Sequence, residues 1–142
     1  MKTTGYGNGL TILIIEDHAR LLRSMTFLLE IAGYETLSAM NAQEALHAVH
    51  SPLKPDLILC DVDMVETDAW ALLRQLRHDD LSRPIPFVAI SRYYELTDLV
   101  YALDQGATEY LAKPFDAHDL LDTVRDALRS VETPQPVLVA AG

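Results

Sequence analysis

The chain has 142 residues, 49% of them hydrophobic, which is enough for one compact domain with its core and short for two. Its formal net charge of −10, with no local cluster of Lys and Arg, supplies nothing to neutralise phosphates along a duplex, so direct nucleic-acid binding is not expected. No apolar run approaches the ~20 residues that cross a bilayer, "MKTTGYGNG" lacks the apolar stretch of a signal peptide, and the single cysteine, Cys60, cannot form an internal disulfide; the expectation is a soluble, cytoplasmic protein.

Residues 1–9 read as an N-terminal extension. The glycines of "GYGNG" (Gly5 to Gly9) precede the first strand instead of following it, so they cannot cradle a phosphate at a helix start, which sets aside a nucleotide-binding reading. The first element, "TILII" (Thr11 to Ile15), is continuously apolar and suits a strand covered on both faces. It ends at Glu16 and Asp17. Leu21, Met25 and Leu28 then recur at helical spacing, and Gly33 stands where that helix should stop. "YETLSA" (Tyr34 to Ala39) alternates weakly and reads as an edge strand. "NAQE" from Asn41 is a capping box with Glu44; the helix it opens carries His47 and His50, which lie three apart but, lacking partners on a second segment, read as solvated and not as metal ligands.

"DLILC" (Asp56 to Cys60) is the third strand, and it runs into Asp61 and Asp63. Met64 and Trp70 beyond it read as packing residues. "FVAI" (Phe87 to Ile90) is the fourth strand and ends at Ser91, followed by Arg92 and Tyr93. A stripe of Leu96, Leu99, Val100 and Leu103 closes at Gly106, and the short "EYLA" (Glu109 to Ala112), a second edge strand, leads to Lys113 and Pro114. The last stripe is Leu121, Val124, Leu128 and Val131; from residue 132 the chain, with two prolines, reads as a flexible tail or truncated linker, leaving residues 10–131 as the domain.

Strand and helix thus alternate five times. That pattern implies a doubly wound α/β domain with parallel strands, right-handed crossovers and helices on both faces, whose site lies beyond the carboxyl ends of the strands. There the sequence puts Glu16, Asp17, Asp61, Ser91 and Lys113. Like charges about 4 Å apart repel by about 4 kcal/mol at an effective dielectric near 20, so three carboxylates on one edge call for a cation. Mg²⁺ accepts one or two carboxylates while keeping waters and phosphate oxygens. A carboxylate can attack phosphorus, with the Lys113 ammonium and Ser91 hydroxyl holding transferred oxygens, which makes Asp61 the candidate acceptor. Taken singly, Asp17 is an ordinary helix cap, Ser91 a turn residue, Lys113 a solvated charge and Pro114 a trans loop proline. Their conjunction on one edge is what carries the reading.

In this combination "IIEDH", "LILCD", "FVAIS" and "GATEYLAKPF" resemble the acidic pair, phosphoacceptor strand, hydroxyl strand and aromatic-lysine segment of the receiver domains of response regulators, from about Leu10 to Val131. The resemblance implies a flavodoxin-like five-stranded sheet of order 2-1-3-4-5. It implies that Asp61 takes a phosphoryl group from a histidine kinase or histidine phosphotransfer protein, and that Glu16, Asp17, Asp61 and the backbone carbonyl of Asp63 hold Mg²⁺. Ser91 and Lys113 would bind phosphoryl oxygens, the bond before Pro114 would be cis, and Tyr110 would swing inward on activation. The face of the fourth helix, fifth strand and fifth helix, with Tyr101 and Leu103, would then meet a protein target or a second copy. Such a protein is a signalling switch and not a turnover enzyme.

The sequence departs from the family pattern where Val65 and Glu66 replace a proline and glycine, where Ala69 replaces a glycine, and where Arg92 replaces a small residue. Arg92 is expected either to fold over the site, pairing with the phosphoryl group or Asp63, or to point into solvent. By the same resemblance, Asp63 and Tyr93 occupy positions that flank the acyl phosphate and would modulate its lifetime. Two alternatives remain. "DVDMV" also resembles the nucleophile motif of haloacid-dehalogenase-like phosphatases, although those carry it on the first strand, and a degenerate receiver serving only as a scaffold would have Arg92 in the phosphoryl position, although all the acceptor chemistry is present.

Overall fold

A computed structural model describes residues 9–132, so apart from Gly9 and Glu132, the last residue of a helix, the expected N-terminal extension and tail lie outside the described residues. The elements are β1 (Thr11–Ile15), α1 (Ala19–Ile31), β2 (Glu35–Ala39), α2 (Ala42–Val49), β3 (Leu57–Asp61), α3 (Ala69–Arg77), β4 (Phe87–Ser91), α4 (Leu96–Gln105), β5 (Glu109–Ala112) and α5 (Ala117–Glu132). All five strands are parallel in the order β2-β1-β3-β4-β5, with β2 and β5 at the edges. The chain steps out from β1 to β2 and then returns past β1 to β3. This reversal opens a crevice at the carboxyl ends of β1 and β3.

Two apolar layers follow from the pleat, which sends successive side chains to opposite faces. Ile12 and Ile14 of β1 and Leu57 and Leu59 of β3 pack with Met25 and Leu29 of α1 and with Leu120, Val124 and Ala127 of α5. Leu13, Ile15, Ile58 and Cys60 pack on the other side with Ala45 and Val49 of α2, Leu72, Leu73 and Leu76 of α3, and Ala102 of α4. Burying each such Leu or Ile contributes about 1.5–3 kcal/mol, and Met64 and Trp70 join the second layer, as expected of packing residues.

The helix starts are locally specified. The α1 cap is His18, whose Nδ1 accepts from the Leu21 amide at 3.3 Å; Asp17 is therefore not the cap and is left over for other work. Asn41 Oδ1 accepts from the Glu44 amide at 2.8 Å, and Glu44 reaches back to the Met40 amide at 2.8 Å.

Two apolar stripes lie differently from the sequence reading. In α4 only Ala102 is buried, while Leu96, Val100 and Leu103 are exposed, because the sheet meets this short helix through its small residue. Tyr101 and Leu103 thus belong to the surface and not to the core. In α5 the buried set is Leu120, Val124 and Ala127, with Leu121 and Leu128 at its margin; the side chain of Val131 lies outside the described residues.

Arg77 closes the far side of the domain. Its guanidinium donates to the Gly106 carbonyl from Nε (3.1 Å) and Nη2 (2.9 Å), and from Nη1 to the carbonyls of Arg83 (3.0 Å) and Ile85 (2.7 Å). These bonds join α3, the approach to β4 and the α4–β5 turn. Gly106 ends α4 at φ 110°, a left-handed conformation in which a Cβ would also sit 3.2 Å from Arg77 Cγ.

Candidate functional site

The strand register assembles the site. Asp61 ends β3 opposite Ile90, Ser91 follows Ile90 at the end of β4, and Lys113 follows Ala112, the β5 partner of Ser91. The Lys113–Pro114 peptide is cis, and the Lys113 amide donates to the Ser91 carbonyl at 2.8 Å. Asp61 is buried and doubly contacted: the Asp63 amide donates to Oδ1 at 2.8 Å, and Lys113 Nζ to Oδ2 at 3.2 Å. The first bond folds the backbone of Asp63 back beside the acceptor.

Glu16 is 1% exposed, and its two oxygens differ. Oε2 accepts from the His18 amide at 3.1 Å, whereas Oε1 is buried without a hydrogen-bond partner, with Lys113 Nζ at 3.9 Å. Burial pushes the Glu16 carboxyl up to about 7; the His18 amide opposes this, the Asp61 charge adds to it, and the Lys113 charge works against it. Asp17 is exposed on the rim. One carboxylate oxygen from each of Glu16, Asp17 and Asp61 lies within 4.8 Å of the others. Three hard oxygen donors, one an orphaned buried atom and one open to water, fit Mg²⁺ with retained waters.

Ser91 is 2% exposed, and its hydroxyl does not point at Asp61. Oγ donates to Asp63 Oδ1 at 2.9 Å and accepts from the Tyr93 amide at 3.0 Å. Arg92 also turns to Asp63: its amide donates to Oδ2 at 2.8 Å, and its Nε lies 3.6 Å from the same oxygen. Its guanidinium sits 5.4 Å over the Tyr93 ring centroid. The Arg92 side chain thus leans toward Asp63 while remaining 65% exposed, so it combines features of both expected orientations. The Tyr110 hydroxyl donates to the Tyr93 carbonyl, and its ring tilts against Tyr94 at 6.0 Å.

Two concavities adjoin these groups. A cleft of about 430 Å³ runs between Leu21, Phe115, Pro114 and Lys113 with Arg92 at its rim. A smaller cavity of about 120 Å³ lies behind Ser91 and Asp63, walled by Trp70, Asp98, Tyr101 and Tyr110. A larger concavity of about 960 Å³, between β2 and α2, includes His47 and Glu44 but not Glu16, Asp17 or Asp61, so it is unrelated to this chemistry. His50 is not a metal ligand beside His47: its Nε2 pairs with Asp79 at 2.7 Å. Leu21, Phe115, Asp98 and the site-facing position of Trp70 are not legible as site features in the sequence, since nothing local distinguishes them from other helix and loop residues.

The model of the response regulator receiver domain matches residues 12–125. The chain belongs to the response regulator receiver family. This receiver is 39% identical over 121 residues to the phosphate regulon transcriptional regulatory protein PhoB of Pseudomonas aeruginosa, covering 85% of this chain and 52% of that protein. It is 32% identical over 121 residues to the DNA-binding dual master transcriptional regulator RpaA of Synechocystis, covering 85% and 50%. The chain spans about half the length of these curated relatives. Among solved structures, a CheY-like receiver domain protein from Methanospirillum hungatei superposes with a TM-score of 0.78 at 28% identity, covering 89% of this chain and 99% of that one. A response regulator from Chloroflexus aurantiacus gives 0.78 at 29% identity, covering 85% and 98%. Receivers are parts of two-component systems and act as signalling switches, so these likenesses do not favour the phosphatase alternative. No described helix is long and apolar enough to cross a membrane.

Proposed function

We propose that Asp61 is the phosphoacceptor of this receiver. The observation that carries the reading is the buried Asp61 carboxylate with Lys113 on one oxygen and Glu16 and Asp17 beside it. In the transfer, the P–N bond of a phosphohistidine on a histidine kinase or phosphotransfer protein breaks, its electron pair returns to the imidazole, and an Asp61 oxygen forms the new bond to phosphorus. Mg²⁺ bound by Glu16, Asp17, Asp61 and the Asp63 carbonyl would supply positive charge for the phosphoryl oxygens. Lys113 would hold one of those oxygens, and Ser91 a second after rotation toward Asp61. The apolar cleft with Leu21 and Phe115 gives the donor a surface beside the acceptor.

Phosphorylation adds about 1.5–2 negative charges. Charge-assisted hydrogen bonds contribute about 1.5–3 kcal/mol each, so those of Ser91 and Lys113 together approach the ~5.5 kcal/mol that carries a 1:99 equilibrium to 99:1. Movement of Ser91 would reposition Tyr110 and the α4–β5–α5 face. The exposed Leu96, Val100 and Leu103 suit that face to a protein target or a second copy, and the curated relatives, named as transcriptional regulators, suggest gene control as the output.

The test is the intact mass of the protein incubated with a small-molecule phosphodonor, with and without Mg²⁺. The expected result is a Mg²⁺-dependent gain of one phosphoryl group that Asp61→Asn loses entirely. A gain that survives in Asp61→Asn would overturn the assignment. Absence of a gain in the parent and in Arg92→Ala alike would favour the scaffold alternative.

A further inference from the structure

Asp63 accepts from two directions at once. It follows β3, yet it holds the Ser91 hydroxyl at the end of β4 and both the amide and the guanidinium of Arg92 in the β4–α4 loop. Its side chain is 12% exposed, so little water competes for these bonds. A serine hydroxyl has one proton to donate. While that proton lies on Asp63 Oδ1, Ser91 cannot donate to a phosphoryl oxygen on Asp61, and the Tyr93 amide on Ser91 Oγ holds the hydroxyl in this orientation from the other side.

We propose that the Asp63 carboxylate is a latch on the switch, holding Ser91 and Arg92 in the resting arrangement until a phosphoryl group on Asp61 draws the Ser91 hydroxyl away. The inference rests on Asp61 as the acceptor. An acyl phosphate carries more negative charge than a carboxylate and is the stronger acceptor, so the exchange runs forward on phosphorylation. It still requires breaking a shielded, charge-assisted bond. Asp63 therefore sets how far the switch moves for a given load on Asp61, acting through Ser91 as a positioning residue.

Removing the Asp63 carboxylate also removes a negative charge near Asp61, and that alone would favour an anion there. A double-mutant cycle separates the effects, because charge relief and release of Arg92 act with or without Ser91 while the hold on the Ser91 hydroxyl acts only through it. Trp70, the single tryptophan, shares the small cavity with Ser91 and Asp63 and packs edge-on against Tyr101 at 5.2 Å, so its fluorescence reports on the arrangement.

The experiment titrates beryllium fluoride, a tetrahedral mimic of a phosphoryl group, into the full chain at saturating Mg²⁺, reading bound fluoride by ¹⁹F NMR and Trp70 by fluorescence. Asp63→Ala is expected to bind the mimic about tenfold more tightly than the parent, with Asp63→Asn between them. In the Ser91→Ala background the same Asp63→Ala change is expected to alter affinity less than about threefold. Equal gains in both backgrounds, or no gain in either Asp63 variant, would overturn the latch while leaving Asp61 as acceptor. Failure of the parent and every variant to bind the mimic would overturn both readings.

Discussion

At the amino-terminal edge of the sheet the Arg77 guanidinium meets three backbone carbonyls through four hydrogen bonds. At the carboxyl-terminal edge the Glu16 carboxylate is more deeply buried, yet one of its oxygens has no hydrogen-bond partner. Burial lowers the Arg77 pKa and raises that of Glu16, each against its charged form. The guanidinium stays charged because its acceptors surround it, whereas burial and the neighbouring Asp61 charge press Glu16 toward its protonated form. The buried charge at one edge has its partners within the fold, and the buried carboxylate at the other has an oxygen without one.

The largest effect is expected at Arg77. Arg77→Ala strands the carbonyls of Gly106, Arg83 and Ile85, and a loss of about 3 kcal/mol is expected in chemical denaturation; a loss below about 1 kcal/mol would show that the guanidinium is not the staple described. At the other edge the sign reverses. Glu16→Gln keeps an acceptor for the His18 amide and offers a donor to Asp61, so without Mg²⁺ it should stabilise the fold by about 1 kcal/mol. Mg²⁺ at about 100 times its Kd should stabilise the parent by about 2.7 kcal/mol, and Glu16→Gln at the same concentration by much less. Thermal melts with and without the metal measure both.

Gly106→Ala probes the Arg77 staple from the opposite side. The positive φ and the 3.2 Å approach to Arg77 Cγ predict a loss of about 1–2 kcal/mol in denaturant titrations.

The smallest effect belongs to the exposed pair of His50 and Asp79. The Asp79 carboxylate raises the His50 pKa above its ordinary 6.5, and the Leu81 amide together with His50 lowers that of Asp79 below 3.8. For His50 the stabilisation is full below pH 6.5 and is lost as pH rises through its folded value; for Asp79 it is present above pH 3.8 and is lost as pH falls through its folded value. The melting temperature of the parent should therefore exceed that of His50→Gln most between the ordinary values of the two groups, 3.8 and 6.5, and converge with it as pH rises through the folded pKa of His50. A difference that grew with pH would contradict the pairing.

The amino-acid sequence determined the strands and the polar groups at their ends. Both-sided burial requires continuous apolar runs, and a polar residue ending such a run must lie on the sheet edge, so Glu16, Asp17, Asp61, Ser91 and Lys113 are legible without the fold. Helix starts such as Asn41 are equally legible because the capping bond spans three residues. Only the tertiary structure decided which side of α4 meets the sheet, since Leu96, Val100 and Leu103 have helical spacing whether they face the core or water. It alone gave the α1 cap to His18 and freed Asp17, and it alone placed Asp63 on Ser91 and Arg92, 28 and 29 residues away. The physical reason is range: periodicity and caps are set by neighbours within a few residues, while hydrogen bonds between loops depend on the register of β3 against β4, which forms only when the sheet closes.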